Sequence, residues 1–176
     1  MNGPTWLTLV RMVMAGVFMG FVMVPASWAR IAALVVFTLA AVTDKVDGIW
    51  ARKSKQVTDL GAFLDPLADK MLVNLAFLAL TVLGVVPVWV FSIILVRDFA
   101  VDGMRMMVAR NGITVAASFY GKLKTTVQMV ALIILLLNLI VNNSVIGTIG
   151  NIALDLALGL TIFSGIDYIS QGLREL

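Results

Sequence analysis

A chain of 176 residues that is 61% apolar, with a mean hydropathy of +1.03, cannot hide so much oily surface in water. Globular domains hold roughly 45–50% apolar residues, so the solvent of this chain is lipid. A net charge of only +3, with no basic run or tail, points away from nucleic acid. The absence of cysteine and histidine excludes disulfides, thiolate metal sites and Cys nucleophiles. It also leaves proton transfer to Asp, Lys, Tyr, water or the one glutamate, Glu175.

The length fits one domain over 1–176. A spanning helix takes about 20 mostly apolar residues, and six such runs fall near 5–24, 30–52, 63–84, 87–109, 122–142 and 146–171. Pro25, Gly84 with Pro87, Asn111-Gly112 and Asn142-Asn143 supply breaks between them. Arg11 interrupts the first run and no A-x-A-like site follows a short apolar core, so this segment reads as a retained membrane helix. The second run becomes charged at its end, with Asp44, Lys45, Asp47 and Arg52. The third is charged at its start, with Asp65, Asp69 and Lys70. The fourth carries Arg97, Asp98, Asp102 and Arg105 in its last half, and the fifth opens with Lys122 and Lys124. The sixth holds Asp155 at mid-depth, where a pairing with Arg11 or Arg97, or a dimer contact, would account for it. Trp6, Trp28, Trp50 and Trp89 lie near helix ends, as interfacial anchors do.

Lys and Arg placement sets the orientation. Six spans put both termini on one side, together with Arg52, Lys53, Lys55, Arg110, Lys122, Lys124 and Arg174, while the other side offers Arg30. Both termini are therefore expected in the cytoplasm. Arg30 apart, the charges of the second to fifth helices all fall in their cytoplasmic halves. Charge inside a membrane faces a bundle interior or a wet cavity. The expected fold is thus an all-α integral membrane protein whose six transmembrane helices enclose a polar, cytoplasm-facing chamber.

Asp44 and Asp47 are three residues apart and Asp65 and Asp69 four apart, so each pair shares a helix face. A hairpin of the second and third helices, which their short connection implies, would bring the pairs together. Carboxylates about 6 Å apart repel by roughly 3 kcal/mol per pair at an effective dielectric near 20. Such a cluster calls for protonation, interleaved cations or metal. Lys45 and Lys70 lie about 100° off the Asp stripes and neutralise them poorly. All-oxygen ligands select Mg²⁺, Mn²⁺ or Ca²⁺, and two such ions sharing four carboxylates is the preferred reading. A merely charged interfacial loop and an ion or proton pathway are the alternatives, the latter as a divalent-ion transporter. Against a pathway stands the lack of charge, Arg30 at the rim apart, in the outer halves of helices two to five. Gly48, Ala51 and Gly61 lie beside the Asp stripes, where small side chains admit either a bulky ligand or a neighbouring helix.

In order, the stretch reads Asp44, Asp47-Gly48, Ala51-Arg52, Gly61, Asp65 and Asp69. It resembles the signature of the CDP-alcohol phosphotransferases, D-x2-D-G-x2-A-R-x8-G-x3-D-x3-D, at every fixed position. The resemblance implies a six-helix membrane enzyme in which the hydroxyl of an alcohol displaces CMP from a CDP-linked lipid. It implies two divalent ions, Mg²⁺ or Mn²⁺, on Asp44, Asp47 and Asp65, with Asp69 beside the metals as general base. It places Thr8, Asp44, Gly48, Ala51, Arg52, Thr58 and Gly61 around the CDP group, and it implies a homodimer in the bacterial cell membrane among membrane lipids.

"VRDFAVDGMRMMVARNG", "ASFYGKLKTTVQM" and the opening "NGPTWLTLVR" resemble the bacterial branch of that family that joins CDP-diacylglycerol and glycerol 3-phosphate into phosphatidylglycerophosphate. Inositol phosphate, serine or phosphatidylglycerol as acceptor is the alternative within the family. A phosphate-bearing acceptor suits a pocket rich in Lys and Arg, with Arg105, Lys122 and Lys124 as candidates and Arg97 behind them. Positive-inside topology is the competing account of these cations, though Arg97, deep in its helix, needs a partner: Asp98, Asp102 or a phosphate. Asp102 departs from the branch, where a small or neutral residue is expected, and an acid one turn from Arg105 opposes phosphate binding.

Overall fold

The computed structural model describes the backbone of residues 3–54, 59–110 and 119–175, and the side chains of Trp6, 8–43, Ala68, 70–109 and 120–174. It is all-helical: α1 (Gly3–Met23), α2 (Ser27–Ser54), α3 (Asp59–Val82), α4 (Val88–Arg110), α5 (Phe119–Val141) and α6 (Ser144–Glu175). These follow the six apolar runs and overshoot several of them. Both α2 and α6 continue past their apolar stretch, because backbone hydrogen bonding is internal to a helix and does not stop where side-chain polarity changes.

Each described turn has a local cause. At the end of α3, Gly84 adopts φ 74°, its N–H reaches Thr81 O at 3.0 Å and the Val85 N–H reaches Leu80 O at 2.8 Å. That pattern is a Schellman closure, which favours glycine at the left-handed position. Pro87 then starts α4, its carbonyl accepting from the Val90 and Phe91 N–H groups. Between α5 and α6, Asn142 takes the left-handed turn at φ 50°. Asn143 caps α6 through its Oδ1, which accepts from the N–H of Val145 at 2.9 Å and of Ile146 at 3.3 Å.

The helices form two groups of three. α1 packs on both α2 and α3, α6 packs on both α4 and α5, and the groups meet where α5 touches α2 and α3 and where α3 touches α4. The expected α2–α3 hairpin is weak among the described residues: α1 is the principal neighbour of each, and α2 and α3 touch only slightly. The core is built from Phe18, Phe37, Leu72, Phe77, Leu80, Leu132 and Leu135, with the Phe18 and Phe37 rings 5.5 Å apart. Buried alanines at 15, 33, 40, 76, 79 and 131 let helix axes approach. The exterior is apolar instead, with Val13, Val35, Phe99, Leu156 and Ile166 all exposed. A surface of that kind fits a membrane protein.

Among the described residues, α5 from Tyr120 and α6 to Arg174 are long and apolar enough to cross a membrane by themselves. α1, α2 and α3 contribute shorter apolar lengths, Thr8–Met23, Ser27–Thr43 and Lys70–Val82. Arg30, the one cation expected on the opposite side, donates from Nη1 to Leu139 O at 2.9 Å, satisfying a carbonyl in the last turn of α5.

Candidate active site

The charged half of α4 organises the described part of the site. Residues 98, 102 and 105 recur at four and three residues, so they share one helix face. Asp98 is buried and accepts from Lys124 Nζ of α5 at 2.5 Å and from Arg97 Nη1 at 3.0 Å. One turn on, Asp102 pairs with Lys70 of α3. A further turn on, Arg105 is exposed and meets buried Tyr168 of α6, with Nε 3.4 Å from the phenol oxygen and the guanidinium carbon 5.6 Å from the ring centroid. Consecutive turns of one helix thus reach three different neighbours.

Arg97 lies about 100° round from Asp98 and turns toward α6. There its Nη2 donates to Ser164 Oγ at 2.8 Å and its Nε to Thr161 O at 3.2 Å. All three guanidinium nitrogens therefore donate within the protein. Gly165 makes room for the side chain: a Cβ at that position would stand 2.8 Å from Arg97 Cγ. Thr161 ties in α5 as well, since Gln128 Nε2 donates to its Oγ1 at 3.1 Å. The knot of Arg97, Asp98, Lys124, Gln128, Thr161 and Ser164 joins α4, α5 and α6 in the interior, where charge-assisted hydrogen bonds are worth most.

Of the four cations expected around an acceptor phosphate, the structure unites Arg97 and Lys124 on Asp98, while Arg105 stands apart and exposed. Lys122 is also exposed; two residues from Lys124, it sits roughly 200° round α5 and faces elsewhere. Asp102, the departure from the family branch, is directed to Lys70. Asp155 is exposed on α6 and does not join Arg97, whose donors are taken by Asp98, Ser164 and Thr161. Thr161, Ser164 and Tyr168 belong to no motif. Their spacing of three and four residues marks one stripe of α6, a signal that hydroxyls in an apolar helix present only weakly.

The other expected residues fall mostly outside the described side chains. Thr8 is buried on α1. Asp44, Asp47, Gly48, Ala51 and Arg52 lie on helical α2, and Gly61, Asp65 and Asp69 on helical α3, but their side chains are not among those described. Thr58 lies outside the described residues altogether. Helical backbone at 44–47 and 65–69 keeps each Asp pair on one face of its helix. As an all-oxygen donor set, these four carboxylates fit hard divalent ions in chemistry.

Residues 1–163 match the family model of the CDP-alcohol phosphatidyltransferases, and the chain belongs to that family. By class it is a phosphotransferase, and the family is in general dependent on divalent metal. Its curated relatives include three proteins named CDP-diacylglycerol–glycerol-3-phosphate 3-phosphatidyltransferase. That of Bacillus subtilis (strain 168) is 37% identical over 187 residues, covering 99% of this chain and 97% of the relative. That of Sodalis glossinidius is 39% identical over 181 residues, covering 100% of this chain and 97% of the relative. That of Escherichia coli K12 is 37% identical over 180 residues, covering 99% and 97%.

Proposed function

We propose that this chain makes phosphatidylglycerophosphate and CMP from CDP-diacylglycerol and glycerol 3-phosphate, the first committed step toward phosphatidylglycerol and cardiolipin. The observation that carries this is the similarity to proteins named for that reaction over essentially their whole length. The cation-rich region where α3, α4, α5 and α6 meet supports it, because among the described side chains Lys70, Arg97 and Lys124 share two acids, Asp98 and Asp102, and Arg105 adds a fourth cation against Tyr168, an excess suited to an acceptor that already bears a phosphate.

The working arrangement is a single domain of six spans in the bacterial inner membrane, with both termini and a polar chamber on the cytoplasmic side. It acts as a homodimer among membrane lipids. Thr8, Asp44, Gly48, Ala51, Arg52, Thr58 and Gly61 hold the CDP group, and the small residues among them let it approach the helix backbone. Arg105 and Lys124, with Arg97 behind them, draw the acceptor's phosphate, while Lys122 stands on another face of α5. The acceptor hydroxyl oxygen attacks the phosphorus that carries diacylglycerol, the bond from that phosphorus to CMP breaks, and the hydroxyl proton passes to the Asp69 carboxylate. Asp44, Asp47, Asp65 and Asp69 would hold two divalent ions, Mg²⁺ or Mn²⁺, which would supply charge neutralisation for the diphosphate and the departing CMP.

The test is CMP release by purified protein given CDP-diacylglycerol and one acceptor at a time. Glycerol 3-phosphate should support turnover that a chelator abolishes. Preference for inositol phosphate, serine or phosphatidylglycerol would keep the class and change the substrate. Turnover indifferent to chelator would end the role of the metals.

A further inference from the structure

Asp98 and Asp102 sit one turn apart on α4, each paired with a lysine from another helix, in unlike surroundings. The Lys124–Asp98 side chains are 6% and 8% exposed, whereas those of Lys70–Asp102 are 33% and 34% exposed. Breaking the first pair would strand charge in the interior, which proteins tolerate badly. Breaking the second leaves both ions in reach of water, so its partners exchange at little expense. Asp98 and Asp102 share one face of α4 a turn apart, so their two lysines reach the same side of that helix. Arg97 donates from every nitrogen to the protein. The cations most open to an incoming anion are therefore Lys70 and Arg105, and the anion that competes for Lys70 is Asp102.

We propose that Lys70 is a phosphate-binding cation of the acceptor pocket and that Asp102 is the counter-ion an acceptor must displace to reach it. The inference rests on the reading that a phosphomonoester is the acceptor. An arriving phosphate takes over the Lys70 ammonium, and Asp102 turns toward solvent. An acceptor without a phosphate cannot make that exchange, so the pair selects for the phosphorylated alcohol by holding the pocket shut against neutral ones. Asp102 sets acceptor affinity through Lys70, because it competes with the phosphate for that ammonium.

The experiment measures KM and kcat for both substrates in the purified full-length protein, with melting temperature as a control for folding. Lys70→Gln should raise the glycerol 3-phosphate KM roughly tenfold, the loss of one charge-assisted contact, and leave the CDP-diacylglycerol KM unchanged. Asp102→Asn should do the opposite and lower the acceptor KM several-fold. A purely structural tether between α3 and α4 predicts something else: either variant breaks the same link, so both fall together in kcat and melting temperature. Equal and same-signed effects, or an unmoved KM in both, would overturn the proposal. Asp102→Asn in the Lys70→Gln background should leave the acceptor KM where Lys70→Gln put it; a full drop there would show Asp102 acting through Arg105 instead and remove Lys70 from the role. Turnover of the parent protein tests the acceptor reading separately. An inactive parent that still bound inorganic phosphate in the order Lys70→Gln, parent, Asp102→Asn, weakest first, would keep this inference and sink the acceptor assignment.

Discussion

The two three-helix groups carry their charge in different ways. On α2 and α3 four of the five acids come in helix-spaced pairs, Asp44 with Asp47 and Asp65 with Asp69, and no lysine or arginine stands three or four residues from any of these four. On α4 each acid has a cation from a neighbouring helix, Lys124 for Asp98 and Lys70 for Asp102, with Arg97 and Arg105 in addition. The Asp stripes concentrate negative charge on one face of each helix and are suited to bind cations. The cluster where α4 meets its neighbours sets four cations, Lys70, Arg97, Arg105 and Lys124, beside the two acids Asp98 and Asp102 and is suited to bind an anion. Much of the second group's charge also serves architecture, because the buried part of it fastens α4 to α5 and α6. A charge in that group is therefore not automatically a ligand contact, and its burial separates the two roles.

Substitutions can separate the groups. The largest effect should be on turnover alone: Asp69→Asn cannot accept a proton, and losing a general base lowers rates roughly 10²–10⁴-fold. CMP release should collapse while the melting temperature stays put. Near-parental turnover would remove Asp69 from the role and erase the contrast between a catalytic group of helices and a binding one.

Next comes Asp98→Ala, which leaves Arg97 and Lys124 without their shared carboxylate in the interior. Removing one partner of a buried ionic network destabilises by about 3–5 kcal/mol, so unfolding should shift strongly before any kinetic constant is considered. A variant as stable as the parent would show that α4–α6 does not depend on this knot. Gly165→Ala should act in the same direction and less severely. Its methyl would press on Arg97 Cγ at 2.8 Å, and overpacking of that kind is worth roughly 1–3 kcal/mol. Loss of stability in Gly165→Ala should be much reduced in an Arg97→Met background, where no guanidinium has to be held against Ser164.

The smallest effect belongs to Tyr168→Phe. It keeps the ring beneath Arg105 and removes an acceptor 3.4 Å from Nε, a contact worth no more than about 1 kcal/mol. Stability should barely move, and any change should appear in acceptor KM, because Arg105 alone loses a guide. A large loss of stability would make Tyr168 part of the buried knot.

The number of helices, the breaks at Pro25, at Gly84 with Pro87 and at Asn142-Asn143, and the aspartate pairs could all be read from the chain by itself, while the expected break at Asn111-Gly112 lies outside the described residues. Each depends on neighbours a few residues away: apolar run length, a glycine free to adopt φ 74°, Asn143 free to cap the next helix, and carboxylates at helical spacing. The pairing of α2 with α3 could not be read that way. A short connection makes two helices successive, but packing is chosen by which faces bury most area, and α1 lies against both. The partners of the α4 charges were equally hidden. Asp98 could be named as one possible partner of Arg97, yet its second partner Lys124, Asp102's bond to a lysine 32 residues earlier, and the Ser164 hydroxyl and Thr161 carbonyl of α6 that receive Arg97 are contacts between distant parts of the chain. Sequence determines what charge each helix carries and on which face. Only tertiary structure decides which charges are buried together and which stay open to a ligand, because desolvation depends on everything packed around a side chain and not on its place in the chain.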